Sequence, residues 1–260
     1  MKIGFIGSGN MGSALASAAV KGENKVFIYD KDCEKATCVA QRLGANYSGL
    51  DALCDACEVI FLGVKPNILP IVSEEIADKL KRGTILVSMA AGITISRLGE
   101  LFPAMPVIRI MPNTPAAVNS GMIVWCKNGL VTDEDADAVI GAMSHAGDFL
   151  KIDEQKIDAA TAVSGCGPAF VYMFIDGLIK GGIEAGLSPE EARTLAARTA
   201  IGAGEMILGK TETPEELRIA VCSPGGSTIE GVKSLLADDF ETVVAKAVAA
   251  SYRRTQELGK

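Results

Sequence analysis

The 260 residues predict an α/β chain in two parts, a parallel sheet layered with helices followed by an all-helical half. Three observations carry this. Short apolar runs alternate with helix-like segments up to about residue 154, the pattern then turns to long Ala-rich helical stretches, and a glycine-rich turn separates the first run from the first helix. Hydrophobic residues make up 48% and charged residues 22%, an ordinary globular balance with ample apolar surface for a core. A prior of about 150 residues per domain suggests one or two domains, and two is the expectation. The change of pattern places them at 1–155 and 156–260.

The strand-like runs lie at 2–6, 25–29, 59–64, 84–88, 107–110 and 122–125, with a last candidate at 149–152; helix-like segments at 12–20, 33–43 and 68–80 fall between several of them. Strands that alternate with helices form βαβ units, and so a parallel sheet covered on both faces. Beyond about residue 154 no strand-like run stands alone. Ser188-Pro189-Glu190-Glu191 and Thr213-Pro214-Glu215-Glu216 each supply an N-cap, a proline at the first helical position and acids in the first turn. Helices are predicted at 169–185, 189–208, 214–221, 228–236 and 240–258.

A net charge of -7 and an isoelectric point near 4.9 argue against a nucleic-acid binder, whose affinity rests on Lys and Arg neutralising phosphates. Seven cysteines, an odd number without a dense framework, read as reduced thiols in the cytoplasm. The one C-x-x-C, Cys54 and Cys57, lacks the second ligand pair of a zinc site and reads as apolar filling. The N-terminal apolar run is too short for a signal peptide, and no run approaches a membrane span in length. A cytoplasmic protein without membrane or nucleic-acid partners is expected.

Gly7-Ser8-Gly9-Asn10-Met11-Gly12 is a G-x-G-x-x-G that follows a strand-like run and opens a helix-like one. Asp30 ends the next strand, close to the offset of about 20 residues expected for a ribose-binding acid. Gly7 permits the tight turn, Gly9 lets backbone approach a pyrophosphate, and Gly12 lets helix and strand pack closely. The first domain is therefore a Rossmann-type dinucleotide-binding domain. Asp30 should accept from a ribose 2′-hydroxyl, whereas Lys31 beside it could pair with a 2′-phosphate, so NADH and NADPH both remain open. Two more strand-end loops flank the same crevice: Gly63-Val64-Lys65-Pro66, and Ser88-Met89-Ala90-Ala91-Gly92, whose small residues let a flat nicotinamide lie against backbone.

In the second half, Cys222-Ser223-Pro224-Gly225-Gly226-Ser227-Thr228 sets two glycines between hydroxyl residues just before a helix. Backbone N–H groups at the positive end of that helix make a carboxylate or phosphate site, which suits an acidic protein handling an anion. A plain glycine-containing N-cap is the alternative reading.

Ser223-Pro224-Gly225-Gly226-Ser227-Thr228, the Ser164-Gly165-Cys166-Gly167-Pro168-Ala169 segment, and Arg109-Ile110-Met111-Pro112-Asn113-Thr114-Pro115 together resemble the Δ1-pyrroline-5-carboxylate reductases. With the N-terminal fingerprint, the resemblance covers essentially the whole chain. It implies reduction of a cyclic imine, pyrroline-5-carboxylate, to L-proline by hydride from NADPH or NADH, the final step of proline biosynthesis. It further implies that the substrate carboxylate sits on backbone around Gly225, Gly226, Ser227 and Thr228, with Ser223 nearby and the Thr228 hydroxyl near the imine nitrogen. It implies assembly through the helical domain as a homodimer or a ring of dimers. The apolar content of 192–207 and 243–250 agrees with at least a dimer, and we expect the active site to be shared across it. A protonated imine is already electrophilic, so orientation and a hydrogen-bond partner for nitrogen suffice, with no metal. Cys166 stands where the family more often has serine, and Cys222 where a hydroxyl or small residue is common; both raise the prospect of thiol sensitivity.

Two rival readings exist. Dehydrogenases of the 3-hydroxyacid and 6-phosphogluconate type share this plan but use a lysine followed a turn later by asparagine; Lys180 is followed by Gly181-Gly182-Ile183-Glu184. A non-catalytic dinucleotide sensor would have no use for the Gly-Gly loop. The single histidine, His145, precedes a turn and reads as a helix-end residue outside the site.

Overall fold

The computed structural model describes residues 1–258. Compactness divides it into two units, Met1–Cys166 with the end of the chain from Ser251, and Gly167–Ala250.

The first unit runs β1 (Lys2–Ile6), α1 (Asn10–Lys21), β2 (Lys25–Tyr29), α2 (Cys33–Leu43), β3 (Asn46–Tyr47), α3 (Leu50–Ala56), β4 (Val59–Leu62), α4 (Leu69–Ile76), β5 (Ile85–Ser88), α5 (Ile95–Leu101), β6 (Val107–Met111), β7 (Gly121–Lys127), α6 (Asp133–Ala142), β8 (Gly147–Lys151) and α7 (Ile157–Ala160). Its eight strands form one sheet in the order β3-β2-β1-β4-β5-β6-β7-β8. Period-two alternation explains both faces. Ile3, Phe5, Val59 and Phe61 pack with α1 and α2 on one side, while Ile6, Ile60 and Leu62 pack with α3, α4 and α5 on the other. The Phe5 and Phe61 rings stack at 4.6 Å between centroids.

The chain builds β2 and β3 to one side of β1, then returns to add β4 on the other. The crevice beyond the C-terminal ends of β1 and β4 is therefore the switch point at which open α/β sheets bind ligands.

One pairing departs from the parallel pattern: β7 runs antiparallel to β6, with Arg109 opposite Cys126. The β6–β7 connection, 112–120, holds only a 3₁₀ turn at Thr114–Val118. A crossover needs a dozen or more residues, so the chain must return antiparallel. α6 then provides a crossover that sets β8 parallel to β7.

The second unit contains α8 (Gly167–Glu184), α9 (Pro189–Gly209), α10 (Pro214–Ala220), α11 (Ser227–Ala237) and the greater part of α12 (Phe240–Leu258). Both expected helix starts form capping boxes, Ser188 with Glu191 and Thr213 with Glu216. Hydrogen bonds from Ser188 and Thr213 hold the two glutamate carboxyls below their ordinary values. α8 and α9 approach closely at Gly182, where a Cβ would lie 3.3 Å from that of Ala192.

The expectation that no run approaches a membrane span is corrected by this geometry. Glu154–Glu184 is a helical run of 31 residues, long and apolar enough by composition to cross a membrane. Asp158, Asp176 and Lys180 break up its hydropathy in the sequence, but a π-helical turn at Thr161–Gly165 joins α7 to α8 and makes the run continuous. Only 6% of its most apolar stretch is buried, and Tyr172, Met173 and Phe174 are exposed. Apolar surface on this scale marks a contact with something outside the described chain.

Candidate active site

The three glycines of the first loop differ in what the fold asks of them. Gly7 has φ +104°, and a Cβ there would lie 2.8 Å from the Gly63 carbonyl; at Gly12 a Cβ would collide with the carbonyl oxygen of Gly7. Both are fixed by backbone crowding where α1 crosses the ends of β1 and β4. Gly9 has φ -66°, and a Cβ there would meet nothing within 4 Å. Neither strain nor packing requires a glycine at this position, which leaves close approach of a ligand as its reason. Gly9 is also the N-cap of α1 and offers no side chain to its N–H groups, unlike Asp32 at α2, Thr94 at α5 and Thr132 at α6. The open backbone at the positive end of α1 fits a pyrophosphate.

Asp30 does more than the sequence reading asked of it. Its Oδ2 accepts from both the Ser8 N–H and the Ser8 hydroxyl at 2.7 Å, with Lys35 Nζ at 3.3 Å. Its Oδ1 accepts from the Asp32 N–H at 3.2 Å. Burial alone would raise this carboxyl, but the Ser8 and Asp32 hydrogen bonds and the Lys35 charge outweigh it and hold the group below its ordinary value. Asp30 therefore ties down the glycine-rich loop, and its Oδ1, with one hydrogen bond, is the less engaged of its two oxygens. Lys31 is exposed.

The other two loops sit where the sequence placed them, after β4 and β5. Gly63 donates to the Ile6 carbonyl at 2.8 Å, which places Val64, Lys65 and Pro66 beside the glycine-rich loop; Lys65 and Pro66 are exposed. In the β5 loop Ala90 is buried, and its N–H donates to the Ser88 hydroxyl at 3.3 Å. Ala91 and Gly92 are half-buried, and Gly92 takes φ +76°.

The second unit holds the candidate substrate residues on a turn that the sequence spells out. Pro224 and Gly225 are the central pair, Gly225 has φ +73°, and the Gly226 N–H donates to the Ser223 carbonyl at 3.0 Å. This is the arrangement of a type II turn. Gly226 is then the N-cap of α11, again without a side-chain cap. A Cβ at Gly226 would lie 2.5 Å from Ser223 Oγ and 3.1 Å from the Ser223 carbonyl oxygen, so a side chain there would displace the serine hydroxyl and crowd the turn. The Gly226 N–H is engaged in the turn. The N–H groups of Ser227, Thr228 and Ile229, in the first helical turn, are the ones left for an anion. The Ser223, Ser227 and Thr228 side chains are exposed.

Two residues of the Arg109–Pro115 motif to which the sequence assigns no role hold that segment in place. Asn113, almost fully buried, donates to the Ser164 carbonyl at 3.0 Å and accepts from the Met122 N–H at 2.9 Å, which joins two of the recognised motifs at the π turn. Arg109 is buried against Glu154. Both signals were present as polar residues inside or beside an apolar strand.

Other candidates fall away. Burial pushes the Cys54 thiol up to about 11 and the Cys57 thiol up to about 12, so neither is a thiolate near neutrality. His145 is exposed, and Lys180 pairs with Asp176 one turn away at 2.6 Å. Cys166 and Cys222 are half-buried.

A Rossmann-type unit with an open glycine-rich loop, followed by a helical unit with an uncapped Gly-Gly turn, defines a two-part dinucleotide-dependent oxidoreductase. Comparison with known proteins narrows the class. Residues 154–258 match the family model for pyrroline-5-carboxylate reductase dimerisation, and residues 2–92 match that of NADP oxidoreductase, coenzyme F420-dependent. The pyrroline-5-carboxylate reductase of Escherichia coli (strain K12) is 34% identical, covering 100% of this chain and 98% of that protein. The enzyme of Arabidopsis thaliana is 35% identical over 100% and 96%. A crystal structure of the Plasmodium falciparum pyrroline carboxylate reductase with NADP bound superposes with a TM-score of 0.89 at 34% identity, covering 100% of this chain and 98% of that one. The chain belongs to the pyrroline-5-carboxylate reductase family.

Proposed function

We propose that this chain reduces Δ1-pyrroline-5-carboxylate to L-proline with NADPH or NADH. The observation that carries the reading is that two helix N-termini beside the two motifs are left open by glycine, at Gly9 in the first unit and Gly226 in the second. Together they provide for a pyrophosphate and for a carboxylate. Gly7, Ser8, Gly9, Asn10, Met11 and Gly12 hold the dinucleotide phosphates, Asp30 and Lys31 face its ribose end, and Val64, Lys65, Pro66, Ala90, Ala91 and Gly92 receive the nicotinamide half. Bound there, the dinucleotide supplies the hydride that adds to the imine carbon. Ser227 and Thr228 present backbone N–H groups to the substrate carboxylate, Gly225 and Gly226 shape the turn, and Ser223 stands beside it. The Thr228 hydroxyl bonds to the ring nitrogen as the C=N electron pair moves onto it, and water completes protonation. The helical second unit, Gly167–Ala250 rather than the expected 156–260, is the core of the substrate and dimerisation domain, assembling a cytoplasmic homodimer or a ring of dimers. The exposed apolar face of α8 and the family-model match over 154–258 support the pairing.

The anion site is tested by two substitutions. Gly226→Pro removes the N–H that closes the Ser223 turn and disfavours the left-handed conformation of Gly225, so it distorts the backbone beneath Ser227 and Thr228. KM for pyrroline-5-carboxylate should rise at least about tenfold and inhibition by proline should weaken, while the dinucleotide Kd moves less than about twofold. Lys65→Ala should leave KM for the imine within about threefold. A collapse at Lys65→Ala equal to that of Gly226→Pro would assign the carboxylate to a side-chain ion pair.

A further inference from the structure

Arg109 lies on β6 and is only 2% exposed. Its guanidinium meets Glu154 Oε1 at 2.9 Å and Asp158 Oδ1 at 3.8 Å, while its buried Nε has no hydrogen-bond partner among the described residues. A buried cation costs desolvation that close carboxylates must offset, so strand packing alone does not account for an arginine here. The same Glu154 oxygen accepts from the N–H of Ile95 at 2.6 Å, at the first residue of α5. One carboxylate thus joins β6 to the far end of the β5 loop.

That loop is attached at its near end by the Ser88 hydroxyl, which accepts from Ala90, and at its far end by Glu154. Ile93 packs into the core between them. Gly92 and Thr94 instead border a cavity of about 340 Å³, which Arg109, Glu154 and Asp158 also line. Ala90, Ala91, Ile93 and Ile95 pack against the core, but Gly92 and Thr94 have open space behind them, so the polar attachment at Glu154 adds to what packing leaves loose at the far end of the loop.

We propose that Glu154 is a positioning residue, which, held against the Arg109 guanidinium, fixes the β5 loop that receives the nicotinamide. This rests on the dinucleotide reading above. Glu154→Ala removes the attachment altogether, and Glu154→Gln keeps an oxygen for the Ile95 N–H. In the protein without dinucleotide, amide hydrogen exchange over 91–95 should quicken at least about tenfold in Glu154→Ala and stay within about threefold of the parent in Glu154→Gln. In turnover with NADPH, kcat should fall about tenfold in Glu154→Ala with KM for NADPH within about threefold, because a loosened loop misplaces the reacting ring more than it weakens the remaining dinucleotide contacts. Glu154→Gln should recover most of that kcat. Glu154→Asp retains the negative charge beside Arg109 but shortens its reach, so it should quicken exchange at the same amides and decides the matter if Glu154→Ala does not fold. Unchanged exchange in these variants, or a glutamine variant as impaired as the alanine one, would overturn the positioning role. A parent without turnover would defeat the reaction assignment alone, since the exchange measurement is independent of it.

Discussion

Gly9→Val should abolish dinucleotide binding and leave the fold in place. The three loop glycines differ in their surroundings, and this makes the expectation sharp. At Gly7 and Gly12 an added Cβ strikes backbone, so substitution there would disturb the β1–α1–β4 junction and any loss of binding would be ambiguous. At Gly9 the Cβ enters open space from a backbone conformation that any residue adopts. The protein should tolerate valine there, with Tm within about 3 °C of the parent, while the branched side chain occupies the room the pyrophosphate needs. Calorimetry should show the Kd for NADPH and NADH raised at least about a hundredfold. Normal affinity in a folded Gly9→Val protein would remove the phosphate site from the start of α1.

Thr228→Ala should lower kcat by roughly one to three decades, with little change in dinucleotide affinity. Thr228 is the second residue of α11 and exposed, so its hydroxyl carries no packing role that alanine would disturb. A bond to the imine nitrogen strengthens as charge moves in the transition state, which places its loss on kcat rather than on ground-state binding. Thr228→Ser keeps the hydroxyl and should recover most of the rate. Parallel single-turnover measurements on the three proteins check this, and an unchanged rate in Thr228→Ala would take Thr228 out of the chemistry.

The first unit was legible because buried strands read as apolar runs, and all seven expected strands fall within two residues of their places. β7 lies where 122–125 was expected, but its antiparallel direction was not legible, because direction is decided by the length of the 112–120 connection and not by strand composition. The two-residue β3 and the seven-residue helices α3 and α5 are too short to show a period. At the site, the Gly, Ser and Thr motifs stood out by chemistry and context. Asp30 was read for its ribose-facing role, while its hold on Ser8 needed the fold to bring β2 beside the loop. Arg109 and Glu154 lie on different elements 45 residues apart, and no local pattern joins them. The length of the Glu154–Glu184 helix was hidden for a similar reason, since the π turn at Thr161–Gly165 extends a helix that the sequence seemed to begin near Ala169.

The direct test of the central claim is steady-state turnover of the purified protein with pyrroline-5-carboxylate, followed by loss of reduced-dinucleotide absorbance with NADPH and NADH in parallel and by formation of proline. The account predicts stoichiometric oxidation of at least one of the two dinucleotides and formation of L-proline, abolished by Gly9→Val and strongly reduced by Thr228→Ala. Binding of dinucleotide without any turnover of the imine would contradict it and leave the chain a dinucleotide-binding protein of another kind.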